Sequence, residues 1–257
     1  MTTRDDLLRD QLAHLPLGTR RPADAPQPVR VGISGSGQEL LVLAWSAREL
    51  ARERAAGTRL LRRLGVLPGM RIANALPGAL ATPGSLLFGD VVEELGALDV
   101  PLGTVDGLSA ATAAWELVDR VRPDVIVLGD AAEAFLAAAP GGARPWWRGI
   151  VWLQVGAASG RLGVPGAAGF AGWQRPWLAV PEATSFVAAG CDAGRFHVDE
   201  RLLAEVVDAT GVAGGGTLVV TALDLDVPPI RYATGLAARV VPGDCPCGQP
   251  AKAITLA

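Results

Sequence analysis

Lysine is nearly absent from this 257-residue sequence: Lys252 is the only one, and arginine supplies every other basic side chain. Chemistries that need a lysine amine at a fixed place have no residue to use before that position. Histidine is limited to His14 and His197, and cysteine to Cys191, Cys245 and Cys247. With the thiols engaged in a metal site, no Ser-His-Asp or Cys-His nucleophile arrangement remains, and His14 is the one histidine left for acid–base work. Long hydrophobic runs are also missing. The most apolar stretch, Val125 to Ala139, is broken by Asp130 and Glu133, so no segment of about 20 residues suits a bilayer. At the N-terminus Arg4, Asp5, Asp6, Arg9 and Asp10 stand where a signal peptide needs an apolar core. The expectation is a soluble, cytoplasmic protein. A net charge of -3 gives no electrostatic reason for nucleic acid as a partner. The arginines between Arg48 and Arg63 alternate with Glu49 and Glu53 at helical spacing and read as a solvated helix face.

What is present is an alternation of short apolar runs and helical stretches. Pro28–Ser34 reads as a strand, and Ser46-Ala-Arg-Glu49 is a capping-box signature for a helix that stops at Gly65. A strand at Arg71–Leu76, a helix at Ser85–Leu95 and a strand at Asp99–Leu102 follow. Next come a helix capped by Ser109, a strand at Asp124–Leu128, a helix at Ala131–Ala139 and a strand at Gly149–Val155. This order predicts an α/β fold with a mostly parallel sheet covered by helices. Residues 156–172 are rich in glycine and alanine without a period and read as irregular. Short strand-like runs then appear at Glu205–Val207, Thr217–Thr221 and Ala238–Val241. The expected organisation is a helix and connector over 1–27, a Rossmann-like region over 28–155, and a smaller β-rich region over 156–257.

The β-rich region carries the clearest chemical signal. Cys191 and His197 form a C-x5-H pair, and Cys245 and Cys247 a C-x-C pair in Pro-Gly-Asp-Cys-Pro-Cys-Gly. Zinc takes four such ligands in a tetrahedron, and ligands paired on tight turns supply them with little loss of chain entropy. Three thiolates and one imidazole leave no position for water, which favours a structural ion. A disulfide between Cys245 and Cys247 would close a strained ring.

Pro228-Pro-Ile-Arg-Tyr-Ala-Thr-Gly-Leu236, followed by Cys245-Pro-Cys-Gly248, resembles the P-x-I-R-Y-R-T-G-D … C-P-C-G stretch of phenylacetate–coenzyme A ligases, which belong to the acyl-adenylate-forming superfamily. Leu178-Ala-Val-Pro-Glu182 stands where those ligases have Tyr-Gly-x-Ser/Thr-Glu, and Gly156-Ala-Ala-Ser159 where they have Gly-Ala-Glu-Pro. Ile33-Ser-Gly-Ser-Gly37 occupies the place of their Ser-Ser-Gly-Thr-Thr-Gly-Lys phosphate loop. Leu67-Pro-Gly-Met70, Asn74-Ala75 and Val121-Arg-Pro-Asp-Val-Ile126 extend the likeness over residues 28–255.

The resemblance implies an enzyme that joins a carboxylic acid to coenzyme A through an acyl-AMP, yet the residues for that work are altered. Gln38-Glu39 replace Lys-Pro after the loop, Leu236 replaces the aspartate that binds ribose hydroxyls, and Ala158 replaces the acidic residue of Gly-Ala-Glu-Pro. The sequence ends at Ala257, before the place of the family's small C-terminal domain and its catalytic lysine. The expectation is a truncated form that has lost ATP-dependent adenylation, with zinc as its cofactor and ATP not bound. Such a chain would bind or transform a small acyl or aryl acid, or its carrier- or CoA-bound thioester, in a biosynthetic pathway. The alternatives are a non-catalytic partner or scaffold subunit, with a second subunit or homodimer as its context, and a residual or split acyl-CoA ligase.

The expected cleft is bounded by Ile33–Gln38, Trp152–Ser159, Leu178–Glu182 and Arg231–Thr234. Within it Glu182, a partly exposed carboxylate, would act as general base or metal ligand, or else pair with a surface arginine. Arg231 and Tyr232 would orient a carboxylate or thioester oxygen, unless Tyr232 packs in the core. Ser34, Ser36, Trp152, Gly156 and Thr234 would contact substrate. Five of the seven tryptophans, from Trp146 to Trp177, would either line a flat pocket or seal the junction with the β-rich region.

Overall fold

The computed structural model describes residues 1–78, 82–105, 107–129, 132–139, 144–156, 167, 170–207, 215–227, 229–250 and 252–256. The chain opens with α1 (Arg4–Ala13), held at its start by a capping box between Thr3 and Asp6. β1 (Pro28–Ser34) and β2 (Leu41–Ser46) then pair antiparallel as a separate two-stranded ribbon, so β1 does not join the parallel sheet. Ser46 caps α2 (Ala47–Arg63), and Glu49 returns the bond to the Ser46 N–H at 2.8 Å. β3 (Arg71–Ala75), α3 (Ser85–Leu95), β4 (Leu98–Pro101), α4 (Gly107–Val121), β5 (Val125–Leu128), α5 (Ala132–Ala137) and β6 (Gly149–Val155) complete the alternating half. Ser109 lies inside α4, where the backbone is already helical, and so does not cap it.

Beyond residue 170 come β7 (Trp173–Val180), β8 (Thr184–Gly190), β9 (Phe196–Val198), β10 (Leu202–Val207), β11 (Gly216–Ala222), β12 (Tyr232–Val241) and β13 (Ala253–Leu256). They continue the same sheet, whose eleven described strands run β10-β11-β12-β13-β9-β8-β7-β6-β5-β3-β4. β4, β3, β5, β6 and β7 are parallel, and the rest pair antiparallel. The β6–β7 ladder therefore crosses residue 155, and the β-rich region is an extension of the α/β sheet. Among the described residues no helix is long and apolar enough to cross a membrane.

Period-two side-chain alternation divides the core. On one face Val151, Leu153 and Trp177 pack with Leu61 of α2 and Phe88 of α3. On the other, Ile150 and Trp152 pack with Trp115 of α4 and Phe135 of α5. Gly57 lets α2 approach closely: a Cβ there would lie 2.6 Å from Val91 and 2.8 Å from Phe186.

Arg48 and Arg62 of α2 are exposed, as a solvated face requires, but Glu49 and Glu53, expected among them, face inward and are buried. Glu53 is fully buried and accepts from Thr184 Oγ1 at 2.6 Å, the Ser185 N–H at 2.9 Å and Arg201 Nη2 at 2.9 Å. Arg201 also meets Asp199 at 3.2 Å and Asp224 at 3.5 Å. Arg201→Met leaves buried carboxylates uncompensated and should cost about 3–5 kcal/mol in denaturant unfolding. Arg54→Ala, which breaks the outer pair with Glu94 at 3.2 Å, should cost no more than about 1 kcal/mol.

Asp99 on β4 gives a pH signature. Burial pushes its carboxyl up to about 6, and its Oδ1 is buried with no hydrogen-bond partner. A raised folded pKa means stability present below the unfolded value of 3.8 and lost as pH climbs through about 6. Asp99→Asn should flatten that decline: its advantage over the native chain, measured by urea midpoints, should grow from pH 4 to pH 7.

Candidate functional site

Two hairpin tips build the thiol–imidazole cluster. The β8–β9 turn carries Cys191 at its start and is closed by Gly194 N–H to Cys191 O and Cys191 N–H to Arg195 O, both 2.9 Å. His197 lies on β9, fully buried. Cys245 and Cys247 lie between β12 and β13, where the Gly248 N–H donates to Cys245 O at 2.9 Å and Gly248 has φ 78. Pairing of Ala253 with His197 brings the two tips together.

All four donor atoms lie within 4.8 Å of one another. Cys191 Sγ is 3.7 Å from Cys245 Sγ, and Cys247 Sγ is 3.2 Å from His197 Nε2. Zinc–sulfur bonds of about 2.3 Å in a tetrahedron set sulfurs about 3.8 Å apart. The separation fits coordination and is too long for a disulfide. Desolvation and the neighbouring Cys245 and Cys191 thiols push the Cys247 thiol up to about 11. A bound cation reverses that tendency and takes the thiols as thiolates. The cluster can hold a metal ion.

A cavity of about 390 Å³ opens at the carboxyl ends of the parallel strands, at Ala75, Gly129, Leu153 and Val155. Ile33–Gly35, Thr82–Pro83, Thr104–Val105 and Pro181 form its other walls. Such strand ends are where open α/β sheets bind ligands. Trp173 and Trp177 do not fill it. Trp177 is buried between Phe88 and Phe186, at centroid distances of 5.6 and 5.0 Å, and its indole N–H donates to Ser185 O at 2.8 Å. Trp147 packs on Trp115 and Phe170 on the other face. The tryptophans seal layers of the core.

Beside the cavity, Glu182 is not the partly exposed group expected: its side chain is 7% exposed and paired with Arg4 of α1. Ser34 Oγ donates to the same carboxylate oxygen at 2.6 Å. Arg4 Nη1 also donates to Ser34 Oγ at 2.9 Å, and Nη2 to the carbonyl oxygens of Ser34 at 3.0 Å and Glu39 at 2.6 Å. Gly35 permits this approach, since a Cβ would lie 2.3 Å from Arg4 Nη2 and its φ is 76.

The remaining expected residues are spread out. Tyr232 is 3% exposed in the core with Leu7 and Leu41, and burial pushes its hydroxyl up to about 12, although the nearby Arg4 opposes this. Arg231, at φ 48, turns its guanidinium to Glu205 at 3.0 Å and is not among the cavity walls. Thr234 Oγ1 donates to Leu218 O at 2.8 Å within the sheet, and Leu236 is buried. Trp152 points to the face opposite Leu153 because neighbouring residues of a strand alternate. Ser36 is exposed just before the short 3-10 turn Gly37–Glu39, and Gly156 follows β6 at φ 56. His14 is exposed at the end of α1, its Nδ1 3.4 Å from Asp10. Ala157, Ala158, Ser159 and Pro228 lie outside the described residues.

Sequence reasoning missed Arg4, Thr82 and Thr104. The short helix expected in residues 1–27 is α1, but no local signal connects Arg4 to a carboxylate 178 residues away.

No protein-family model and no curated protein matches this sequence. Solved structures do. An open conformation of 2-hydroxyisobutyryl-CoA ligase in complex with 2-HIB-AMP and CoA superposes with a TM-score of 0.83 at 18% identity, over 100% of this chain and 62% of that one. The N-terminal domain of FACL13 from Mycobacterium tuberculosis gives 0.63 at 13% identity, over 98% and 66%. The anthranilate CoA ligase AuaEII in complex with anthranoyl-AMP gives 0.63 at 12%, over 94% and 48%. This chain spans about three-fifths of the length of the first of these, and it has the fold of the adenylate-forming acyl-CoA ligases.

Proposed function

We propose that this chain uses the ligase fold without adenylation, binding a small acyl or aryl acid or its thioester in the cavity at the strand ends. The observation that carries the reading is a contrast between two neighbouring places. The cavity is open and mostly apolar, with the hydroxyl-bearing Ser34, Thr82 and Thr104 on its walls. The loop next to it is already filled by Arg4. Leu236, where the family has an aspartate for ribose, is buried in the core and has no acceptor to offer. Neighbours solved with acyl-AMP and CoA support acyl chemistry as the class. The cluster of Cys191, His197, Cys245 and Cys247 is assigned to structural zinc, since three thiols and an imidazole complete a tetrahedron and leave no open position.

Calorimetry with ATP, phenylacetate, benzoate and their N-acetylcysteamine thioesters tests the reading. ATP should bind no tighter than about 1 mM, a free energy of about -4 kcal/mol. At least one acid or thioester should bind more tightly, and Val155→Trp, which fills the cavity, should weaken it by about tenfold or more. Micromolar ATP binding would return the chain to the adenylating enzymes.

Elemental analysis of protein purified without chelator should find about one zinc per chain. Cys245→Ser should lower Tm by about 10 °C, the shift that a loss of 3–4 kcal/mol produces at this size. Metal-free protein with unchanged Tm would remove zinc from the account.

A further inference from the structure

Residues 2–14 are attached to the rest of the molecule at several points, as a bound peptide would be. Thr2 bridges β12: its N–H donates to Arg231 O at 3.1 Å, and its carbonyl accepts from the Ala233 N–H at 2.8 Å. Leu7 is buried with Tyr232 and Leu41. The Gln11 amide pairs reciprocally with the Val42 backbone, Nε2 donating at 2.9 Å and Oε1 accepting at 2.8 Å. Between these anchors Arg4 enters the loop after β1.

The polarity of that loop decides what it can hold. Ser34 O, Glu39 O, Ser34 Oγ and Glu182 Oε1 all accept from the one guanidinium. A planar fork of N–H donors suits such an oxygen cage. A phosphate in the same place would face two carbonyls and a carboxylate, with the Ser34 hydroxyl the one donor among the four groups to set against that repulsion. Ser34 and Gly35 also form part of the cavity wall.

We propose that residues 2–14 are an internal latch whose Arg4 is the resident cation of the loop, closing it to phosphate-bearing ligands and fixing the wall it shares with the cavity. Nothing in this latch depends on what fills the cavity, so it stands or falls apart from the ligand.

Hydrogen exchange on the full chain tests the latch. In Arg4→Ala the amides of Leu7–Ala13 and Leu41–Leu43 should exchange about tenfold faster or more, while those of Val125–Leu128 keep native rates. Guanidinium chloride at low millimolar concentration should slow the variant's exchange again by refilling the cage, and sodium chloride at the same concentration should not. Native rates at Leu7–Ala13 in Arg4→Ala would overturn the latch. So would inorganic pyrophosphate raising the Tm of the native chain while α1 stays protected. Where Arg4→Ala does not fold, Glu182→Gln keeps the shape of the cage and removes its charge. Faster exchange at Leu7–Ala13 in that variant supports the latch, and unchanged exchange overturns it.

Discussion

β7 is the strand on which the rest of the molecule depends. It pairs in parallel with β6 from Gly149↔Trp173 to Val155↔Ala179, and antiparallel with β8 on its other edge. One strand thus joins a sheet built by helical crossovers to a sheet built by hairpins. Its side chains serve both cores, Trp177 under α2 and α3 and Leu178 against Val187 and Phe196. It ends beside Pro181 and Glu182, one at the cavity and the other at Arg4. A slip of one residue in its register would exchange the two faces and dismantle both cores.

Local rules made the alternating half readable. The Ser46–Glu49 capping box, the β1 run and the α3 stretch each depend on residues a few positions apart, and each stands in the structure where its pattern placed it. The paired spacing of thiols and imidazole was equally local, and the pairing of β9 with β13 assembles it. β7 and β8 were missed for a physical reason. Both are largely buried on two faces, so neither alternates, and a Pro-Glu turn in the middle of an apolar run hides their hairpin. β2 was missed because it is short and runs straight into the α2 cap.

The site was less legible than the fold because its decisive contacts join distant parts of the chain. Arg4 and Glu182 are separated by 178 residues of chain. The departures Gln38 and Leu236 could be read as losses. Their surroundings could not: an arginine of the first helix paired with Glu182, and a leucine absorbed into the core with Tyr232.

The thiol–imidazole cluster has a consequence for chain topology. Cys191 and Cys245 stand 54 residues apart, and the chain between them makes the whole excursion through β10, β11 and β12. The excursion returns to the sheet where β13 meets β9, at Ala253↔His197 and Ile254↔Phe196, and it is held on the way by Arg201 on Glu53 and by Thr2 on β12. With an ion, the excursion becomes a ring closed at its base, Cys191 and His197 on one side and Cys245 and Cys247 on the other. The entropy of closing so long a loop grows only slowly with its length, so one knot at its base can keep a three-stranded insertion in register with the scaffold that carries it.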